Sequence, residues 1–108
     1  MMQENVLVVD DHPEIRDLMV KILERRGYRV STASDGHDAL TQFALARPDL
    51  VITDLSMPGL NGYQLCRLIR GISSVPVLIM SAQKVAEEKA YEMGADAFES
   101  KPIDMEAL

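Results

Sequence analysis

Two periodicities alternate along the chain. The apolar runs Val6 to Val9, Leu50-Val51-Ile52 and Val77 to Met80 are unbroken and partly β-branched, as strands buried on both faces of a parallel sheet are. Arg29 to Ala33 alternates instead, in the manner of a strand nearer a sheet edge, and Ala97 to Ser100 makes a short fifth strand. Between the strands the spacing turns helical. After Pro13, which suits a first helical turn, Ile15, Leu18, Met19, Ile22 and Leu23 recur every three or four residues until Arg25-Arg26-Gly27 supplies basic residues and a terminating glycine. Ser34 or Asp35 can cap a second helix carrying Ala39, Leu40, Phe43, Ala44 and Leu45, which Pro48 ends. A third helix is predicted from about Tyr63 to Arg70 with Leu65, Leu68 and Ile69 inward. A fourth, charged and weakly amphipathic, spans Lys84 to Met93 with Val85, Ala86, Ala90 and Met93 inward and Gly94 at its end. Asp104 can cap a last helix, of which Met105 to Leu108 are present. This alternation predicts an α/β fold: five parallel strands, helices on both faces and right-handed crossovers.

Composition narrows the setting. A chain of 108 residues, 47% hydrophobic and 26% charged, has room for one domain, taken as 1–108, around one core. A net charge of -6, with its 11 Lys and Arg scattered, argues against a nucleic-acid surface of its own. Met1-Met2-Gln3-Glu4-Asn5 has neither the basic nor the apolar region of a leader, and no apolar run approaches membrane-spanning length, so a cytoplasmic location is expected. The single cysteine, Cys66, lies in a helical pattern and reads as a small buried hydrophobe.

The chemistry emerges where the strands end. The third run closes on Asp54, and the following Met57-Pro58-Gly59 and Asn61-Gly62, with fixed or positive φ values, force an irregular loop that opens Asp54 to solvent. The first strand ends at Asp10-Asp11, the fourth at Ser81 and the fifth at Lys101. In a parallel sheet these ends share one edge, the edge where open α/β sheets bind ligands. Each residue alone has a plainer reading: Asp54 as a turn residue, Asp10 and Asp11 as helix caps, Ser81 as a loop residue, Lys101 as a surface charge. Together they form a constellation. Crowded carboxylates repel one another unless a cation joins them, and a hard divalent ion such as Mg2+ accepts one or two carboxylates, waters and a phosphate oxygen. Zinc is disfavoured, because one Cys and two His lack ligand spacing. With such an ion present, a carboxylate can attack phosphorus to give an acyl phosphate. Lys101 would be a second positive clamp and Ser81 a hydroxyl donor.

Asp10-Asp11 after an apolar strand, Asp54 in Asp54-Leu55-Ser56-Met57-Pro58-Gly59-Leu60-Asn61-Gly62, Ser81-Ala82 after Val77 to Met80, and Lys101-Pro102 together resemble the receiver domain of bacterial two-component response regulators, over essentially the whole chain. The resemblance implies a doubly wound sheet of order 2-1-3-4-5, which the periodicity allows without establishing. It implies that Asp54 takes a phosphoryl group from a phosphohistidine on a sensor histidine kinase or phosphotransfer protein. Asp11 is then a direct Mg2+ ligand beside Asp54, Asp10 acts mainly through metal-bound water, and the backbone carbonyl of Ser56 completes the set. It also implies a cis Lys101-Pro102 peptide, self-phosphorylation and self-dephosphorylation on Asp54 without turnover of an external substrate, and switching of the helix 4 and strand 5 surface. In that switch Ser81 moves inward and Phe98 fills the space it leaves. Phe98 stands where family members often carry Tyr, and without a hydroxyl its inward and outward states should differ less.

Ser56 and Gln83 occupy the family positions that tend to govern how quickly water reaches the acyl phosphate, and neither is strongly acidic or basic. His12 and His37 read as surface residues, and Met57 as a loop side chain open to partners. Downstream, an output domain, an effector or a phosphorylation-dependent dimer is implied, with no direct contact to nucleic acid or membrane. Six residues, Ile103 to Leu108, follow Lys101-Pro102, where receivers usually complete a fifth helix of about three turns. The fifth helix is therefore expected to be truncated, with hydrophobic surface exposed as a result. Three rivals are weaker. A Mg2+-dependent aspartyl phosphohydrolase would need a general acid at position 56, where Ser56 stands. A flavodoxin-type phosphate loop would be repelled by Asp10-Asp11. A pseudo-receiver acting only by protein contact would not need the intact Asp, Ser and Lys set.

Overall fold

Val6 to Val9 is flanked by a strand on either side. In the computed structural model, which describes residues 4–82 and 87–100, β1 (Asn5–Val9) pairs in parallel with β2 (Arg29–Ala33) on one side and β3 (Leu50–Asp54) on the other. β4 (Val77–Ser81) and β5 (Ala97–Ser100) extend the sheet to the order β2-β1-β3-β4-β5. This is the order that the resemblance implied, and the alternating strand β2 is at an edge. The helices are α1 (Pro13–Arg25), α2 (Gly36–Ala46), α3 (Gly62–Arg70) and α4 (Glu87–Glu92).

Side chains alternate across the strands and so divide the core in two. Val6, Val8, Ile52, Leu78 and Met80 face one side, where Met19 and Leu23 of α1 cover them. Leu7, Val9, Val51, Val77 and Ile79 face the other, under Ala39 of α2, Leu65, Cys66 and Ile69 of α3, and Ala90 of α4. The three inner strands are therefore buried on both faces, which is why their sequences read as unbroken apolar runs. Burial also pushes the Cys66 thiol up from its ordinary value, with the Arg70 guanidinium partly opposing it.

The inward assignment of Leu68 is corrected by how narrow the helix contacts are, and other apolar helix positions are turned outward too. Leu68 is half exposed and Leu45 is 74% exposed, and α1 turns Ile15 and Leu18 outward as well. Each helix lies on the sheet along a stripe narrower than its apolar spacing, so Cys66 rather than Leu68 joins Leu65 and Ile69 inside. The end of α2 is set by Pro48, as the sequence predicts. The helix stops at Ala46, and Arg47 takes a left-handed conformation (φ 48°) ahead of Pro48, which disfavours a helical residue before it. Asp35 is the N-cap of α2, its carboxylate accepting the Asp38 N–H at 2.7 Å. The assignments at Val85 and Ala86, the start of the fourth helix and the last helix lie outside the described residues.

Candidate functional site

Register places the acids side by side. Val9 pairs with Thr53, so Asp10 and Asp54 each stand one residue further along neighbouring strands. Asp10 stays in the sheet line, its N–H donating to Ala33 O at 3.1 Å, and it is fully buried. Asp54 is 3% exposed and pairs with Met80, which sets Ser81 one step past it at the end of β4, opposite Ser100. Asp54 thus lies at the strand end predicted for it, but it is buried there and not opened to solvent as the loop sequence suggested.

The loop after Asp54 is held at both ends. Leu55 N–H donates to Met80 O at 2.8 Å, and Leu55 O accepts the Gly62 N–H at 2.8 Å. Asn61 then starts α3 with a reciprocal cap: its side chain accepts from Gln64 N at 2.9 Å, and the Gln64 side chain accepts from Asn61 N at 2.9 Å. The glycines of this loop serve two different needs. Gly59 has a positive φ of 76°. Gly62 is helical, and glycine is required there because a Cβ would stand 2.6 Å from Asp54 O and 2.8 Å from Leu55 Cα. Met57, expected to be open to partners, is only 8% exposed and packs into the core beside Leu55, because the loop folds back onto α3.

Asp10, Asp11, His12 and Asp54 each present a ligand atom within 4.8 Å of the others. One Asp11 carboxylate oxygen, Oδ1, is hidden from water and accepts no hydrogen bond among the described residues. A buried acceptor next to two further carboxylates is costly without a cation, and an oxygen-rich donor set of this kind fits a hard divalent ion. Spacing did not reveal the part played by His12. Its ring is 60% exposed, as a surface residue's would be, yet Nδ1 lies 3.0 Å from Asp10 Oδ1 and 3.2 Å from Asp11 Oδ1. His12 N–H also donates to Asp10 Oδ1 at 2.9 Å, and Arg16 Nη1 donates to Asp10 O at 2.8 Å. The N-cap of α1 is His12, with no side-chain capping bond. His37 is exposed as expected, and so is Ser56, on the loop that follows Asp54. Lys101, Pro102 and Gln83 lie outside the described residues. No helix among the described residues is long and apolar enough to cross a membrane.

Known proteins match this arrangement. The family described as response regulator receiver domain matches residues 6–108. The chain is 37% identical over 109 residues to the DNA-binding response regulator MtrA of Mycolicibacterium smegmatis, covering 99% of this chain and 48% of that protein. It is 42% identical over 106 residues to the sensor histidine kinase RcsC of Salmonella typhi, covering 95% of this chain and 11% of that protein. The chain thus spans about half the length, or less, of these curated relatives. Among solved structures, the chemotaxis protein CheY4 of Vibrio cholerae superposes with a TM-score of 0.91 at 31% identity, over 97% of this chain and 92% of that one. Sheet order, clustered acids and sequence agree, and the chain belongs to the receiver domain family of two-component response regulators.

Proposed function

We propose that Asp54 is the phosphoacceptor of this receiver and that Asp10, Asp11 and the backbone carbonyl of Ser56 hold a Mg2+ ion beside it. The observation that carries this reading is the convergence of Asp10, Asp11 and Asp54 at the carboxyl ends of β1 and β3. An Asp54 oxygen attacks the phosphorus of a phosphohistidine on a sensor histidine kinase or phosphotransfer protein. The P–N bond breaks, the electron pair leaves with the imidazole, and an acyl phosphate remains on Asp54. Bound Mg2+ supplies charge neutralisation for the phosphoryl oxygens. The Ser81 hydroxyl donates to one of those oxygens, and Lys101, carried over from the family pattern, is the second cation. Water later hydrolyses the acyl phosphate, so the chemistry is confined to Asp54 and turns over no external substrate.

Incubation with Mg2+ and acetyl phosphate, followed by intact mass measurement, tests the assignment. One added phosphate is expected on the wild type and none on Asp54→Asn. An unmodified wild type, or equal modification of both proteins, would overturn it. The output is a switch in the α4 and β5 surface. Phe98 is half-buried on β5 opposite Ile79, and in this reading it follows Ser81 inward. Its side-chain rotamer should change between free and phosphorylated protein, and an unchanged χ1 by NMR would remove Phe98 from the switch. The response regulator relatives support an output domain, an effector or a phosphorylation-dependent dimer as the recipient of the signal in the cytoplasm.

A further inference from the structure

We infer that His12 is a further ligand of the proposed metal site, through Nδ1, and that it raises the site's affinity for borderline transition ions such as Co2+ more than its affinity for Mg2+. This rests on the reading of the acid pocket as a metal site and adds a nitrogen donor to it. In an octahedral site with bonds of about 2.1 Å, adjacent ligand atoms stand about 3.0 Å apart. His12 Nδ1 already keeps that spacing from two carboxylate oxygens, 3.0 Å from Asp10 Oδ1 and 3.2 Å from Asp11 Oδ1. Asp11 Oδ1 is the atom hidden from water that accepts no hydrogen bond among the described residues, so the imidazole flanks the position where a cation is most needed.

The ring is also held in place. His12 precedes Pro13 and has the extended backbone (φ -95°, ψ 107°) that proline imposes on its predecessor, and its own N–H is tied to Asp10 Oδ1. Backbone and side chain of one residue therefore converge on the same carboxylate. With no ion present, the Nδ1–H tautomer can donate to Asp10. With an ion present, the tautomer protonated at Nε2 offers the Nδ1 lone pair, and Nε2 can face the water that reaches this largely exposed ring. Chemistry then decides selectivity: imidazole adds little for Mg2+, which prefers oxygen and water, and favours Co2+, Ni2+ and Zn2+.

Calorimetric titration of the whole chain with Mg2+ and with Co2+ tests this on the wild type, His12→Ala and Asp11→Asn. His12→Ala should weaken Co2+ binding by about tenfold or more and change Mg2+ affinity by less than about twofold. Asp11→Asn should weaken both ions. Cobalt should also produce a paramagnetically shifted, exchangeable imidazole N–H signal that is lost in His12→Ala. Equal losses for the two ions, no loss for Co2+, or a shifted signal that survives the substitution would each overturn the assignment of His12 while leaving the acid site standing. A wild type that binds neither ion would overturn the acid site, and His12 with it.

Discussion

The two edges of the parallel sheet handle charge in opposite ways. At the amino ends of β4 and β5, the Arg70 guanidinium donates to Gly94 O from Nε (3.1 Å) and Nη2 (2.9 Å), and from Nη1 to Ser73 O (3.1 Å) and Val75 O (2.9 Å). Nη2 also reaches Asp96 Oδ2 at 2.8 Å, and the same carboxylate oxygen accepts the Val77 N–H at 2.9 Å. There a cation answers carbonyls and a carboxylate within the fold itself. At the carboxyl ends of β1 and β3, three acids gather instead, in a cluster that could hold a metal ion. The first edge joins α3, the loop before β4 and the turn before β5. The second is poised for a ligand at a standing cost in stability.

Substitutions at each edge sharpen this contrast. The largest effect is expected from Gly62→Ala, whose new Cβ would press on the Asp54 carbonyl and Leu55 Cα, backbone atoms with little room to yield. It should destabilise the domain by about 3 kcal/mol and impair the proposed phosphorylation of Asp54, read by urea denaturation and intact mass. Wild-type stability in this variant would mean that the loop yields and that the site edge is softer than its contacts imply. Arg70→Met should cost about 2 kcal/mol in the same denaturation measurement, because carbonyls at the amino edge lose their donors. Asp10→Asn should do the reverse in metal-free buffer. Removing one of three like charges should raise stability by about 1 kcal/mol and weaken the stabilisation expected from Mg2+ at the proposed site. If Asp10→Asn and Arg70→Met both destabilise the metal-free protein, the contrast between the two edges fails.

Much of this was legible before any coordinates, for physical reasons that differ from place to place. Buried parallel strands must be apolar throughout, so β1, β3 and β4 stand out, and a carboxylate closing such a run marks a strand end: hence Asp10 and Asp54. Strand order was not contained in periodicity, because the same runs could be shuffled within a parallel sheet; the motif resemblance supplied it. Gly62 looks like a turn residue in the sequence and serves close packing in the fold, a distinction set by backbone atoms that the spacing does not encode. His12 follows two acids without any ligand pattern, and only the extended backbone before Pro13 aims its ring at them. The Arg70 clamp spans 24 residues to Gly94, a distance at which local pattern carries no signal.

The place of β1 between β2 and β3 has a consequence for how the protein is made. β1 ends at Val9, but one of its neighbours, β3, ends only at Asp54, so about 45 further residues must leave the ribosome before both flanks are covered. At about 5–20 residues per second that delay lasts roughly 2 to 9 seconds. Throughout it the most apolar segment of the nascent chain has no completed sheet to enter, which makes the first strand the place where chaperones would be needed and where aggregation would begin.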